Sequence, residues 1–171
     1  MTKASITNIS LIILRGRKNG FLFREARDFQ FFKSVLMKAE ERLPIKMIGF
    51  VILNNCVKIA VQMNSEEMFY LLISYLEKYH MAYAMSVNRN VEDVLFKKIR
   101  RRTLTRARHN SQIREAIECE PVRRGMVDFS SQYPYSSVEL PVLEEEEKNI
   151  SITTVPKFIR RVLCALYCEL F

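Results

Sequence analysis

Twenty-seven Lys and Arg side chains stand against 19 Asp and Glu in a chain of 171 residues, a net charge of +8. Their clustering gives them a chemistry. Lys97, Lys98, Arg100, Arg101, Arg102, Arg106 and Arg108 follow one another with no acid between them. Arg15, Arg17 and Lys18 form a second cluster, Arg123 and Arg124 a third, and Arg160 and Arg161 a fourth. The acids collect elsewhere, in the run Glu144 to Glu147. One basic run is commonly a solvated face. Four such clusters suit a surface that binds phosphate groups equally well.

The other reactive residue types are sparse. The four cysteines, Cys56, Cys119, Cys164 and Cys168, sit inside apolar patterns and form no Cys-x-x-Cys pair, so they read as small packing residues rather than zinc ligands. The chain has two histidines, His80 and His109. Tyr79 and Tyr83 lie one turn apart on a long helical pattern and read as packing residues.

The elements that must carry these residues follow from periodicity. Residues 5–14 mix Ile and Leu with Ser, Thr and Asn and read as a first strand; Arg15 to Gly20 is a turn. Phe29, Phe32, Leu36 and Ala39 recur at helical spacing within residues 24–42, and Pro44 stops that helix. Residues 45–53 and 56–63 read as two strands joined at Asn54-Asn55. The second of them places Cys56, Lys58, Ala60 and Gln62 on one face. Ser65 begins a long helix with Glu66 and Glu67 in its first turn. Asn88 to Asp93 reads as a loop, 94–104 as a fourth strand, 110–120 as a short helix and 128–138 as irregular chain. Pro141 to Asn149 is an acidic connector, and Thr154 can cap a last helix over 155–170 with an apolar stripe. No apolar run reaches the ~18 residues of a membrane helix, and residues 5–14 make a poor signal peptide, so a cytoplasmic protein is expected.

The order β-α-β-β-α-β predicts an α+β fold: a ferredoxin-like split βαβ sandwich, one antiparallel sheet with helices on one face, the other face free, plus a C-terminal helix. Residues 1–140 form the domain and 141–171 the connector and last helix.

Four segments carry a resemblance. Arg15-Gly16-Arg17 with Phe21-Leu22-Phe23-Arg24 and Phe31-Phe32, then Leu95-Phe96 with Arg100 or Arg101, then Glu120-Pro121-Val122-Arg123-Arg124-Gly125-Met126-Val127 followed by Tyr133-Pro134-Tyr135-Ser136-Ser137, resemble the bacterial single-tyrosine HUH transposases associated with repetitive extragenic palindromes. The last two segments look like that family's N-P-V-R-A-G-L-V and Y-P-W-S-S. The resemblance spans residues 5–138.

It implies a chemistry and, residue by residue, its loss. The family holds Mg²⁺ or Mn²⁺ with a His-hydrophobe-His pair on the third strand and the Asn of its N-P motif; a Tyr four residues before that Asn attacks the scissile phosphate of single-stranded DNA. Here the metal-ligand positions are Cys56, Lys58 and Glu120, and the nucleophile position is Ala116. The implied protein is therefore a transposase-like DNA-binding pseudoenzyme without catalytic residue, metal or other cofactor, its partner a DNA hairpin or single strand. Its DNA-binding candidates are Arg15, Arg17, Lys18, Lys97, Lys98, Arg100, Arg101, Arg102, Arg106, Arg108, Arg123 and Arg124. Lys58 is expected to pair with Glu120 where the metal would sit, which spares either charge an uncompensated burial. Two alternatives stay open: a metal-dependent strand transferase with another nucleophile, and a repurposed protein–protein module, for which the last helix offers a homodimer surface.

Overall fold

The computed structural model describes residues 8–18, 20–104 and 110–138. The expectations for Arg106, Arg108, His109, the acidic connector and the last helix with Cys164, Cys168, Arg160 and Arg161 lie outside the described residues.

The chain runs β1 (Asn8–Arg15), α1 (Ala26–Arg42), β2 (Lys46–Leu53), β3 (Cys56–Met63), α2 (Glu66–Ser86), α3 (Val91–Val94), β4 (Lys98–Leu104), α4 (Asn110–Glu118) and α5 (Glu120–Arg123), then a 3₁₀ turn at Ser130–Gln132. The four strands form one sheet in the order β2-β3-β1-β4, antiparallel at each pairing. This is the expected split βαβ sandwich.

Local chemistry fixes the boundaries. The Asp28 carboxylate accepts from the backbone N–H groups of Arg24 and Glu25 at 2.8 and 3.1 Å, so α1 starts two residues later than the sequence pattern suggests. Ser65 caps α2, accepting from the Met68 N–H at 3.4 Å. Asn54 and Asn55 close the β2–β3 hairpin between the paired residues Leu53 and Cys56. Two expectations are corrected. The segment expected as a loop contains the short helix α3, capped by the Asn90 side chain. The fourth strand begins at Lys98 rather than 94, because Val94 ends α3 and Phe96 is buried against Phe32 of α1 and His80 of α2 instead of pairing in the sheet.

One sheet face carries Ile12, Leu14, Phe50, Ile52, Val57, Ile59 and Val61 against Phe29, Phe32 and Leu36 of α1 and Leu72, Ile73 and Leu76 of α2. The opposite face was expected to be free and is not. Leu11, Val51, Leu53, Cys56 and Ala60 meet Ile113 and Ile117 of α4, with Tyr133 beside them. The amphipathic α4 has to bury its apolar side, and the small residues on that face let it come close. A Cβ on Gly49 would lie 3.1 Å from the Arg114 Cγ and 3.2 Å from the Ser137 Oγ, so glycine is what allows α4 to reach β2.

The segment expected to be irregular has a job of its own. The Ile52 N–H donates to the Tyr135 carbonyl at 2.9 Å, and the Ser137 N–H to the Phe50 carbonyl at 3.0 Å. The Tyr133 hydroxyl donates to the Ile52 carbonyl at 2.7 Å, and burial pushes its pKa up to about 12. Tyr133 to Ser137 thus covers the free edge of β2, which would otherwise expose unpaired backbone groups.

Candidate nucleic-acid interface

The register of β4 on β1 sorts the basic residues. Lys98 lies opposite Arg15, Arg100 opposite Ile13 and Arg102 opposite Leu11. These positions alternate with Ile99, Arg101 and Thr103, so Lys98, Arg100 and Arg102 share the face that carries Leu11 and α4. α4 lies over β2 and β3. The β1–β4 half of that face therefore presents Lys98, Arg100 and Arg102 along β4, all exposed, with exposed Arg15 at the end of β1. Lys97 precedes the strand, and Arg17 and Lys18 follow β1; these too are exposed.

Arg101 is separated from the set. Its guanidinium lies 4.9 Å above the Phe69 ring, donates to the Ser10 hydroxyl at 3.2 Å and reaches Glu66 at 3.9 Å. It packs β4 against α2 on the opposite face, a structural role that the run of arginines in the sequence concealed.

Arg123 and Arg124 join the stripe by another route. Lys58 points from β3 to the α4 side, because it lies two residues from both Cys56 and Ala60. Glu120 opens α5 directly above it. The Lys58 Nζ lies 2.9 Å from the Glu120 Oε2, which is the expected pair. Arg124 donates its Nε–H to the Glu120 Oε1 at 2.9 Å, and Arg123 pairs with the Oε2. A second nitrogen of Arg124 lies 3.7 Å from the Cys56 Sγ. The helical spacing of Glu120, Arg123 and Arg124 brings both guanidinium groups back over the carboxylate.

One carboxylate is thus answered by three cations, which leaves two positive charges in excess. Glu120 is buried, whereas Arg123 and Arg124 keep 28% and 36% of their side chains in solvent and can still meet an anion. This donor set does not fit a divalent cation. Both Glu120 oxygens are engaged by cations, and the Arg124 guanidinium bridges Cys56 and the carboxylate where a hard metal needs oxygen or neutral nitrogen. Ala116, at the position where the resemblance puts the nucleophile, is a buried methyl on α4. Among the described residues no group of three or more His, Cys, Asp or Glu side chains is placed to hold a metal ion.

A second buried network lies on the other side of the sheet and was missed in the sequence. Asp28 accepts from the Tyr83 hydroxyl at 2.9 Å and from Arg89 at 2.7 Å, in addition to its two backbone donors. Burial raises its pKa, but the N–H groups of Arg24 and Glu25, Tyr83 and Arg89 outweigh burial, and the net direction is down. His80 stacks on Phe23 with ring centroids 5.1 Å apart and meets Phe32 edge-on. Burial lowers its pKa to about 4, so it is neutral in the fold. Tyr83 stacks on Phe31, and Tyr79 lies against Tyr75, the packing roles expected of them. Asp28 has a weak signal in the sequence, an acid near the start of a helix; nothing in the sequence joins it to Arg89.

The fold has a relative among solved structures. The chain superposes on the REP-associated tyrosine transposase, solved bound to a REP hairpin, with a TM-score of 0.60. The match covers 88% of this chain and 97% of that one, at 11% sequence identity. No protein-family model matches the chain, and no curated protein does. At that identity the likeness is one of fold: the protein shares the α+β fold of that solved structure, a four-stranded antiparallel sheet with helices. No described helix is long and apolar enough to cross a membrane.

Proposed function

We propose that this protein is a transposase-like DNA-binding protein that holds hairpin or single-stranded DNA without cutting it. The observation that carries this reading is the convergence of Lys98, Arg100, Arg102 and Arg15 on the half of a sheet face that α4 leaves uncovered. Arg123 and Arg124 extend the stripe across the Glu120 cluster. A row of cations on a strand contacts successive phosphates and supplies affinity and position without reading bases. The fold's likeness to a transposase solved on a hairpin supports DNA as the partner.

Loss of cleavage is supported by the chemistry of the positions that the resemblance assigns. A methyl group at Ala116 cannot attack a phosphodiester. Lys58, Arg123 and Arg124 occupy Glu120, which leaves no oxygen for a metal. The cations here can bind a phosphate; they offer no nucleophile and no leaving-group acid aligned with it.

The test is binding of labelled DNA hairpins with single-stranded flanks at several salt concentrations, followed by incubation with Mn²⁺. Expected are micromolar or tighter binding, a log–log salt slope of several units and no covalent protein–DNA adduct. Arg100→Ala lowers the slope by about one unit and weakens all sequences alike, whereas Arg101→Ala leaves the slope unchanged. No binding at low salt removes the DNA reading. An adduct with Mn²⁺ establishes the strand-transferase alternative instead.

A further inference from the structure

Among the exposed aromatic side chains Phe21, Tyr70 and Phe129, Phe21 is the one on the loop that follows Arg15, Arg17 and Lys18. Phe21 is 53% exposed, while its neighbours Leu22 and Phe23 are fully buried. An exposed phenyl ring costs free energy in water and adds nothing to the core there. The chain around it is held firmly. The Gly16 N–H donates to the Asn55 carbonyl at 3.2 Å and the Phe23 N–H to the Asn54 carbonyl at 3.0 Å, so both ends of the loop are tied to the β2–β3 turn. Gly16 lies so close to Leu22 that a Cβ on it would meet the Leu22 Cδ2 at 2.8 Å. Within this neck the Gly20 N–H donates to the Arg17 carbonyl at 3.0 Å. Phe21 is thus set on a braced projection that also bears exposed Arg17 and Lys18.

The projection continues the basic stripe. Arg15, at its base, is the register partner of Lys98 on β4. A cation-bearing surface ending in a rigidly mounted aromatic ring has the composition of a single-strand site: cations follow the backbone and a ring takes a base face. Paired bases in a duplex hide their faces in the stack, so such a ring is useful only to an unpaired nucleotide.

We propose that Phe21 is a stacking platform for an unpaired base in the single-stranded flank of a DNA hairpin, with Arg15, Arg17 and Lys18 holding the adjoining phosphates. This rests on the DNA-binding reading above and adds which part of the DNA meets the β1–α1 loop. The ring supplies area without hydrogen bonds, so the platform accepts any base and sets structural rather than sequence preference.

The experiment compares two labelled hairpins, one blunt and one with a flank carrying 2-aminopurine, against the full chain and its Phe21→Ala variant. Expected are quenching of 2-aminopurine by the wild type, and binding of the flanked hairpin weakened about tenfold in Phe21→Ala. Blunt-hairpin binding and the thermal melt stay unchanged, because the ring is exposed; Phe21→Trp restores both affinity and quenching. Equal affinities of wild type and Phe21→Ala for the flanked hairpin overturn the proposal, as does an equal loss on both hairpins. A wild type that binds neither hairpin overturns the DNA reading itself, and this proposal with it.

Discussion

Asp28 and Glu120 are buried to nearly the same depth, at 3% and 6% exposure, on opposite sides of the sheet, and their surroundings answer them differently. Asp28 meets two backbone N–H groups, a phenol and a single cation, Arg89, whose side chain is itself only 13% exposed. Charge is balanced and the network is closed. It ties the start of α1 to the end of α2. Glu120 meets Lys58, Arg123 and Arg124, and the two arginines remain partly in solvent. Charge is in excess, and the excess faces the side of the molecule that carries Lys98, Arg100 and Arg102. A balanced buried pair is a structural device. A carboxylate that gathers more cations than it can neutralise positions them for another anion.

Two substitutions and a pH series probe this contrast, taken from the largest effect to the smallest. Asp28→Ala strands Arg89 without a counter-charge and leaves the Arg24 and Glu25 N–H groups at the start of α1 without their acceptor; a loss of about 3–5 kcal/mol is expected in urea unfolding. DNA affinity of the folded fraction stays at the wild-type value, since the network lies on the far side of the sheet. Glu120→Gln keeps the shape but removes the charge that holds three cations together. Stability falls by about 2–3 kcal/mol while hairpin binding tightens and the salt slope rises by about one unit. Opposite signs of the two effects are the signature of a positioning carboxylate; a loss of stability with affinity unchanged would make Glu120 as structural as Asp28.

The third probe is pH. His80 lies beside the closed network, and burial holds its pKa at about 4 against 6.5 for the free side chain. Between those values the unfolded chain binds a proton that the folded chain refuses. The stabilisation is therefore complete above pH 6.5 and is lost as pH falls toward 4, by about 2 kcal/mol at pH 5. Asp28, whose pKa is lowered, contributes its own loss only as pH falls below the ordinary carboxylate value of 3.8. Thermal melts at pH 7 and pH 5 should show the His80 component, and His80→Phe should flatten it. A wild-type melt independent of pH in this window would mean that His80 is not held neutral.

Much of the fold was legible because periodicity is a local property. The alternation over β3 placed Cys56, Lys58 and Ala60 on one face, and the three- and four-residue spacing of Phe29, Phe32 and Leu36 gave α1 its buried side. The Lys58–Glu120 pair was also within reach, since two substitutions at positions brought together by the resembled fold were complementary in charge. The arginines of β4 were legible as a cluster but not as two groups. A run of adjacent basic residues does not say which of them face the same way until the strand is paired and its register fixed.

Sequence by itself determined the strands, the two long helices, the basic excess and the absence of His, Asn and Tyr from the positions where the resemblance requires them. Tertiary structure alone decided that α4 covers one half of a sheet face and leaves the other to Lys98, Arg100 and Arg102, that Arg101 is spent on Phe69 and Glu66, and that Phe21 is held outward. The physical reason is that composition and period report what a segment must bury, whereas the partner that buries it, and the surface left over, depend on contacts between residues far apart in the chain.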